Sequence, residues 1–215
     1  MAGKTKADTK KRGGARDAGA TRERLLQAAV EVFAETGYAG ATTRVIAERA
    51  GVNEVTLFRH FGAKADLLVQ AMAGEADRLL PQAFQYSGDL ETDFVRLVRH
   101  YVEFVAGKAR FIATVLSELP RFPELAPAAE VPRRMFAAAA GVIGRYQKEG
   151  ALRPEPPHIV AGTLLAPLLM LAIGKTAGLV PSAEVSPEEY VRGFLSGHAV
   201  PRGQSAAPGK ASSKA

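Results

Sequence analysis

The sequence predicts an all-α protein, with a small three-helix helix-turn-helix domain at its front and a larger helical domain behind it. Three observations carry the prediction. Apolar residues recur at helical rather than alternating spacing along most of the 215 residues. Near the front, two short helical segments are joined by a glycine turn, A-G-V, at residues 50–52. Positive charge gathers there too: residues 1–64 hold 12 Lys/Arg against 7 Asp/Glu, while residues 65–200 hold 13 against 15. That asymmetry favours a polyanion partner for the basic end, although a basic tail is also simply well solvated.

Taken in order, residues 1–20 are rich in Lys, Arg, Gly, Thr and Ala without periodicity and read as a disordered basic arm. Its Lys10, Lys11, Arg12 and Arg16 suit nonspecific attraction to phosphate or a minor-groove contact. The first helix spans about 21–36, with Thr21 as a plausible N-cap; Leu25, Leu26, Ala29, Val32 and Phe33 share a face and Gly37 ends it. Thr42 or Thr43 caps a second helix to about residue 50, with Val45, Ile46 and Ala50 inward. Gly51 supplies the left-handed residue of the turn. Asn53 caps a third helix, 53–60, with Val55, Leu57 and Phe61 as its apolar set. A fourth runs from about Lys64 to Leu80, before Pro81.

Five further helices follow, at about 89–106, 109–118, 127–149, 156–177 and 186–196, for about nine in all. Pro167 is expected to kink the penultimate one. Ser186-Pro187-Glu188-Glu189 reads as a capping box opening the last. Residues 201–215 read as a second disordered tail. The expected division is an arm at 1–20, a helix-turn-helix domain at 21–66, a larger helical domain at 67–200, and the tail at 201–215.

Several function classes fall away. The chain has no Cys, which removes disulfides, thiolate metal sites and cysteine nucleophiles. P-loop, GxGxxG, GxSxG and HExxH patterns are absent, and His60, His100, His158 and His198 lack metal-ligand spacing. No enzyme, cofactor or metal site is expected. The first twenty residues have no apolar core of a secretory signal, and a reducing cytoplasm suits the composition. The apolar run 159–174 is 16 residues long, short of the roughly 20 a membrane span needs, so no membrane partner is expected.

The second short helix of a helix-turn-helix must protrude, with a small inner face and a polar outer one, to enter a major groove about 12 Å wide. Here the outer face offers Asn53, Glu54, Thr56 and Arg59. Such clusters also occur as inert packing motifs. The residues then become more specific. F-x-E-x-G-Y at the end of the first helix, T-T before the second, I-A-x-x-A-G-V, T-L-F-x-H-F and a Lys two residues beyond the Gly all fall between 21 and 68. This stretch resembles the tetracycline-repressor (TetR) family of bacterial transcriptional regulators.

The resemblance implies double-stranded DNA as partner, with Thr43 and Arg44 on phosphate or groove edges and Asn53, Glu54 and Thr56 facing bases. Phe58, Arg59 and His60 would lie along the sugar-phosphate backbone, and Lys64 would meet a phosphate. Thr43 and Asn53 could equally be caps, and His60 a packed histidine. Phe58 stands where the family usually has Tyr; without a hydroxyl it is assigned to packing and van der Waals contact. Glu54 has two readings: an acid in the first turn that complements the helix dipole, or an acceptor for cytosine N4.

For the remainder, the resemblance implies a homodimer through the last two helices, with Val191, Phe194 and Leu195 packing across. It also implies a small-molecule effector between the middle helices. Phe94, Tyr101, Phe104, Phe111, Phe136 and Tyr146 are the candidate lining, which favours an apolar ligand, although aromatics at helical spacing are most often core. His100, Thr114 and Gln147 are polar candidates beside them. The expected function is a bacterial cytoplasmic repressor, released from a palindromic operator when the effector moves the helix that starts near Lys64. The alternative is an all-helical ligand-binding or protein-interaction module of this fold that no longer reads sequence, for which Glu54 and Phe58 speak.

Overall fold

The computed structural model describes residues 6–181 and 184–198, with side chains from Asp17 onward. The helices are α1 (Lys6–Gly40), α2 (Thr43–Arg49), α3 (Glu54–Phe61), α4 (Lys64–Ala83), α5 (Leu90–Glu118), α6 (Glu130–Lys148), α7 (Pro157–Thr176) and α8 (Pro187–His198), with a 3-10 segment at Pro123–Ala129 before α6. Among the described residues the class is all-α, as expected, with eight α-helices rather than nine. The expected segments 89–106 and 109–118 are one helix: Gly107 lies within α5, because an interior glycine costs only about 1 kcal/mol against a 29-residue helix. Pro81 lies inside α4, which continues to Ala83, and α7 runs through Pro167.

The arm differs as well. α1 begins at Lys6, so most of the segment expected to be disordered is helical. Extending an already nucleated helix adds one hydrogen bond per residue ordered, and Ala, Lys and Arg favour it. Thr21 is therefore interior; its hydroxyl accepts from Arg24. The side chains of Lys10, Lys11, Arg12 and Arg16, and the tail 201–215, lie outside the described residues.

Two compact units are present, and they do not follow the expected boundary at residue 66. One comprises the chain up to Ala76 together with Arg110–Val131; the other comprises Asp77–Ala109 and the chain from Pro132. In the first unit, Leu25, Val32, Phe33, Ile46, Leu57 and Leu67 are buried. Arg49 bridges Glu35 at 2.9 Å and Glu31 at 3.5 Å, tying α2 to α1. The regular course of α1 breaks at Gly37, whose φ of 70° suits glycine. A Cβ there would also lie 2.7 Å from Glu118 Oε1, so that carboxylate would have to shift.

That break makes Tyr38 a junction. Its amide donates to Glu118 at 2.6 Å and its carbonyl accepts from the Lys64 ammonium at 2.6 Å. The same ammonium sits 4.0 Å from the ring centroid of Tyr38, and the Phe122 ring packs at 4.9 Å. Burial pushes the Tyr38 hydroxyl up to about 12, helped by Glu124.

In the second unit, Asp93 is the buried charge, 1% exposed, in a core of Phe94, Leu97, Val98, Ile143, Leu164 and Leu165. α8 is capped on one side as expected, with the Glu189 amide donating to Ser186 Oγ at 3.3 Å, while Glu188 bonds Arg99 of α5. α7 is 20 residues long with mean hydropathy 1.8, so by length and composition it would suffice to cross a membrane, although a third of that stretch is buried within the protein. Val160, Ala161, Leu164, Leu165 and Leu168 face inward. Ile159 and Met170 are 53% and 64% exposed, so the helix is not enclosed on all sides as its composition suggested.

Candidate nucleic-acid interface

Two caps set the geometry. Thr42 precedes α2 and its hydroxyl accepts from the Val45 amide at 3.2 Å; Asn53 precedes α3 and its Oδ1 accepts from the Val55 amide at 2.9 Å. Thr42 is thus the cap, which leaves Thr43 free for another partner. Gly51, at φ 66°, turns the chain between the helices. The first turns of α2 and α3 then converge, and the Thr43 hydroxyl donates to Glu54 Oε1 at 2.5 Å.

This bond gives Glu54 a third role that neither sequence reading contained. The acid sits in the first turn of α3, where it complements the helix dipole, and it also fastens α3 to α2. No spacing rule pairs residues eleven apart across a turn, so the signal was not legible in the chain. Glu54→Ala is expected to lower stability by about 2–4 kcal/mol, the sum of a charge-assisted hydrogen bond and the dipole contribution. Thr43→Val should cost less, and the double variant should lose less than the sum of the two in urea denaturation. Full additivity would show the bond contributes nothing.

Around this junction stand the exposed groups. Arg44 is largely exposed, with an i,i+4 contact to Glu48 at 2.9 Å; such surface pairs are weak and easily exchanged for phosphate. Asn53, Phe58 and Arg59 are exposed, while Thr56 and His60 are half-buried. His60 Nε2 is buried without a hydrogen-bond partner, which turns that nitrogen away from any ligand at the surface. Phe58 is 46% exposed, so it is an accessible apolar surface rather than the packing residue expected.

Lys64 is the clearest departure. Its ammonium is committed to the Tyr38 carbonyl and ring, and burial lowers its pKa, with Glu124 and Glu118 opposing. A lysine held this way braces the end of α1 instead of reaching outward. Val45, expected inward, is 38% exposed, and Val55, of the expected apolar set, is 73% exposed. Leu57 and Phe61 define the buried face of α3, and at 100° per residue position 55 lies about 200° from Leu57.

The expected effector lining is dispersed. Phe111 belongs to the first unit and packs on Phe33 at 5.7 Å; the other five aromatics belong to the second. There Phe94 and Tyr146 are buried against each other at 6.1 Å, and Phe194 lies 5.9 Å from Phe94. Gln147 donates to the carbonyls of Arg153 and Glu155, and Thr114 to that of Arg110. None of the six aromatics lines either of the two cavities described in the second unit. One, of about 110 Å³, lies between α5 and α7 and is bounded by Val102, Val105, Leu168, Leu171, Lys175 and Thr176. The other is an open groove of about 610 Å³ along α5, lined by Glu91, Arg96, Arg99 and His100 among others.

Two short helices on a glycine turn, braced by a longer helix and presenting polar and basic groups from adjoining first turns, define a helix-turn-helix protein. Residues 25–71 match the family described as bacterial regulatory proteins, tetR family. The chain is 28% identical over 124 residues to the transcriptional repressor KstR of Rhodococcus jostii RHA1, covering 55% of this chain and 58% of that protein. It is 27% identical over 148 residues to the transcriptional activator FasR of Mycolicibacterium smegmatis, covering 67% of each. A TetR-family regulator from Mesorhizobium loti superposes with a TM-score of 0.67 at 21% identity, covering 85% of this chain and 98% of that one. Over residues 25–71 the chain is similar to the TetR family, and the solved structure shares its overall fold. Its match spans little more than half the length of the R. jostii repressor.

Proposed function

We propose that this protein is a dimeric transcriptional repressor that reads a palindromic operator with α3 and releases it when a small, mainly apolar effector binds. The observation that carries the reading is the junction of first turns at Thr43 and Glu54, which puts Arg44, Asn53 and Arg59 around one protruding helix. Phosphate contacts from Arg44 and Arg59 would position α3, and Asn53, Glu54 and Thr56 would face base edges. Lys64 and His60 support that surface from behind.

The dimer reading rests on α7. Ile159 and Met170 are eleven residues apart, which places them within about 20° on one helical face. That face is apolar and uncovered among the described residues. The effector reading rests on the apolar cavity between α5 and α7, with Lys175 and Thr176 as polar groups at its edge. At about 110 Å³ it is smaller than most ligand sites, so an effector would have to part the helices. α4 is the natural route for coupling, because it is one continuous helix whose residues up to Ala76 belong to the first unit and whose last turns belong to the second. An effector would release DNA only by binding one arrangement of α4 better than the other.

Gel-shift titration of the purified protein against DNA upstream of its own gene tests the reading. Expected is a salt-sensitive, sequence-preferring complex, weakened about five-fold or more by Arg44→Ala or Thr56→Ala, in line with about 1–3 kcal/mol per contact. Binding without sequence preference would favour a module of the same fold that no longer reads DNA.

A further inference from the structure

Val55 is the most exposed large apolar side chain of the first unit among the described residues, at 73%. It sits in the first turn of α3, on the side away from buried Leu57 and Phe61, between Glu54 and Thr56 and one turn from Arg59. Packing does not account for a valine here, since the side chain touches no core. Helix propensity does not either, because a β-branched residue is a worse helix former than alanine, glutamate or lysine. A solitary exposed valine is unremarkable on a general surface. On the edge of α3 that also carries Asn53 and Glu54, it is the apolar member of a polar set.

We propose that Val55 is a specificity-determining residue that packs on the C5-methyl group of a thymine in the major groove. The inference rests on the reading of α3 as the DNA-reading helix. Of the four bases, only thymine presents an apolar group in that groove, and an aliphatic side chain is its natural contact. Glu54 beside it disfavours the acceptor-only guanine edge by charge, so the two neighbours read different groups: the acid a base amino group, the valine a thymine methyl. Withdrawing one methyl from water is worth about four-fold in affinity per half-site.

The test uses the full chain. Wild-type protein and Val55→Ala are each used to enrich binding sites from a random double-stranded DNA pool, and the wild-type consensus is then remade with uracil replacing each thymine in turn. Expected is one thymine per half-site that the wild type requires and the variant does not, with the rest of the motif retained. At that position uracil, which lacks the methyl group, should weaken the wild type about four-fold per half-site and leave Val55→Ala indifferent. Folding should be unaffected, since alanine removes no buried contact and raises helix propensity. An unchanged thymine preference in Val55→Ala, or wild-type indifference to uracil at every position, overturns the role of Val55 while leaving α3 as the reading helix. A wild type that enriches no motif overturns both. A variant whose sedimentation changes while its motif does not assigns the exposed valine to a protein contact and also overturns the proposal.

Discussion

Asp93→Ala is expected to destabilise the protein by about 3–5 kcal/mol, the range for removing one member of a buried charged network. Asp93 Oδ2 accepts from the Ser87 amide at 2.7 Å and the Tyr146 hydroxyl at 2.6 Å; Oδ1 accepts from Ser87 Oγ and Arg96, each at 2.6 Å. Arg96 also donates to the Gln85 carbonyl, so the carboxylate organises the whole link between α4 and α5 and fastens it to α6. Removing it strands the buried Tyr146 hydroxyl and the Arg96 guanidinium, whose Nε is already buried without a partner. Against a typical total of about 5–15 kcal/mol, that is a third or more. Burial pulls the Asp93 carboxyl up, but the bonds from Ser87, Tyr146 and Arg96 together outweigh it and hold the pKa below the ordinary aspartate value. A depressed folded-state pKa means the contribution is complete above about pH 4 and is lost as the pH falls through the lowered value. Urea denaturation at pH 7 and below pH 4 should therefore show a gap between wild type and Asp93→Asn that narrows in acid. A loss under about 1 kcal/mol for Asp93→Ala at pH 7 would mean that water replaces the carboxylate.

The helix-turn-helix was legible because it is written in local rules. Thr42 and Asn53 are caps, Gly51 is a positive-φ turn, and Leu57 and Phe61 keep helical spacing, so each could be placed from a few neighbouring residues. What failed depended on distant ones. Lys64 looks like a free cation at a helix start until Tyr38, 26 residues earlier, is brought beneath it. Glu118, 80 residues from Tyr38, accepts from the Tyr38 amide and so lies close over Gly37. The aromatic set was assigned by spacing along single helices, which cannot tell a side chain packed on its neighbours from one lining a cavity. The same limit applied to Asp93: a lone acid near a helix start reads as a dipole partner, and only the fold shows that Tyr146 and Arg96 close over it.

In the proposed dimeric repressor, Ile159→Glu combined with Met170→Glu is expected to separate the two chains and weaken operator binding by about 100-fold or more. Both side chains lie on the exposed face of α7, so the variant should fold: surface substitutions cost within about 0.5 kcal/mol when they remove no buried contact. In the assembly the same glutamates would be buried without partners and would face one another across a two-fold axis. The resemblance implied both of the last two helices, α7 and α8, with Val191, Phe194 and Leu195 packing across. Val191 is fully buried within its own chain, and Phe194 stacks on His198 at 4.4 Å and packs beside Phe94, so neither has much surface left for a partner. The loss on DNA follows from geometry rather than from any contact in α3. Two reading helices in one assembly make the second half-site an intramolecular event, worth about 10²–10⁴ over one head alone, and the variant forfeits that factor while each head keeps its own contacts. Sedimentation should report one chain instead of two, and a single half-site should bind wild type and variant equally at low salt. A dimer that survives both charges would move the interface off this face of α7; a monomer that still holds the full operator tightly would mean that one reading head suffices.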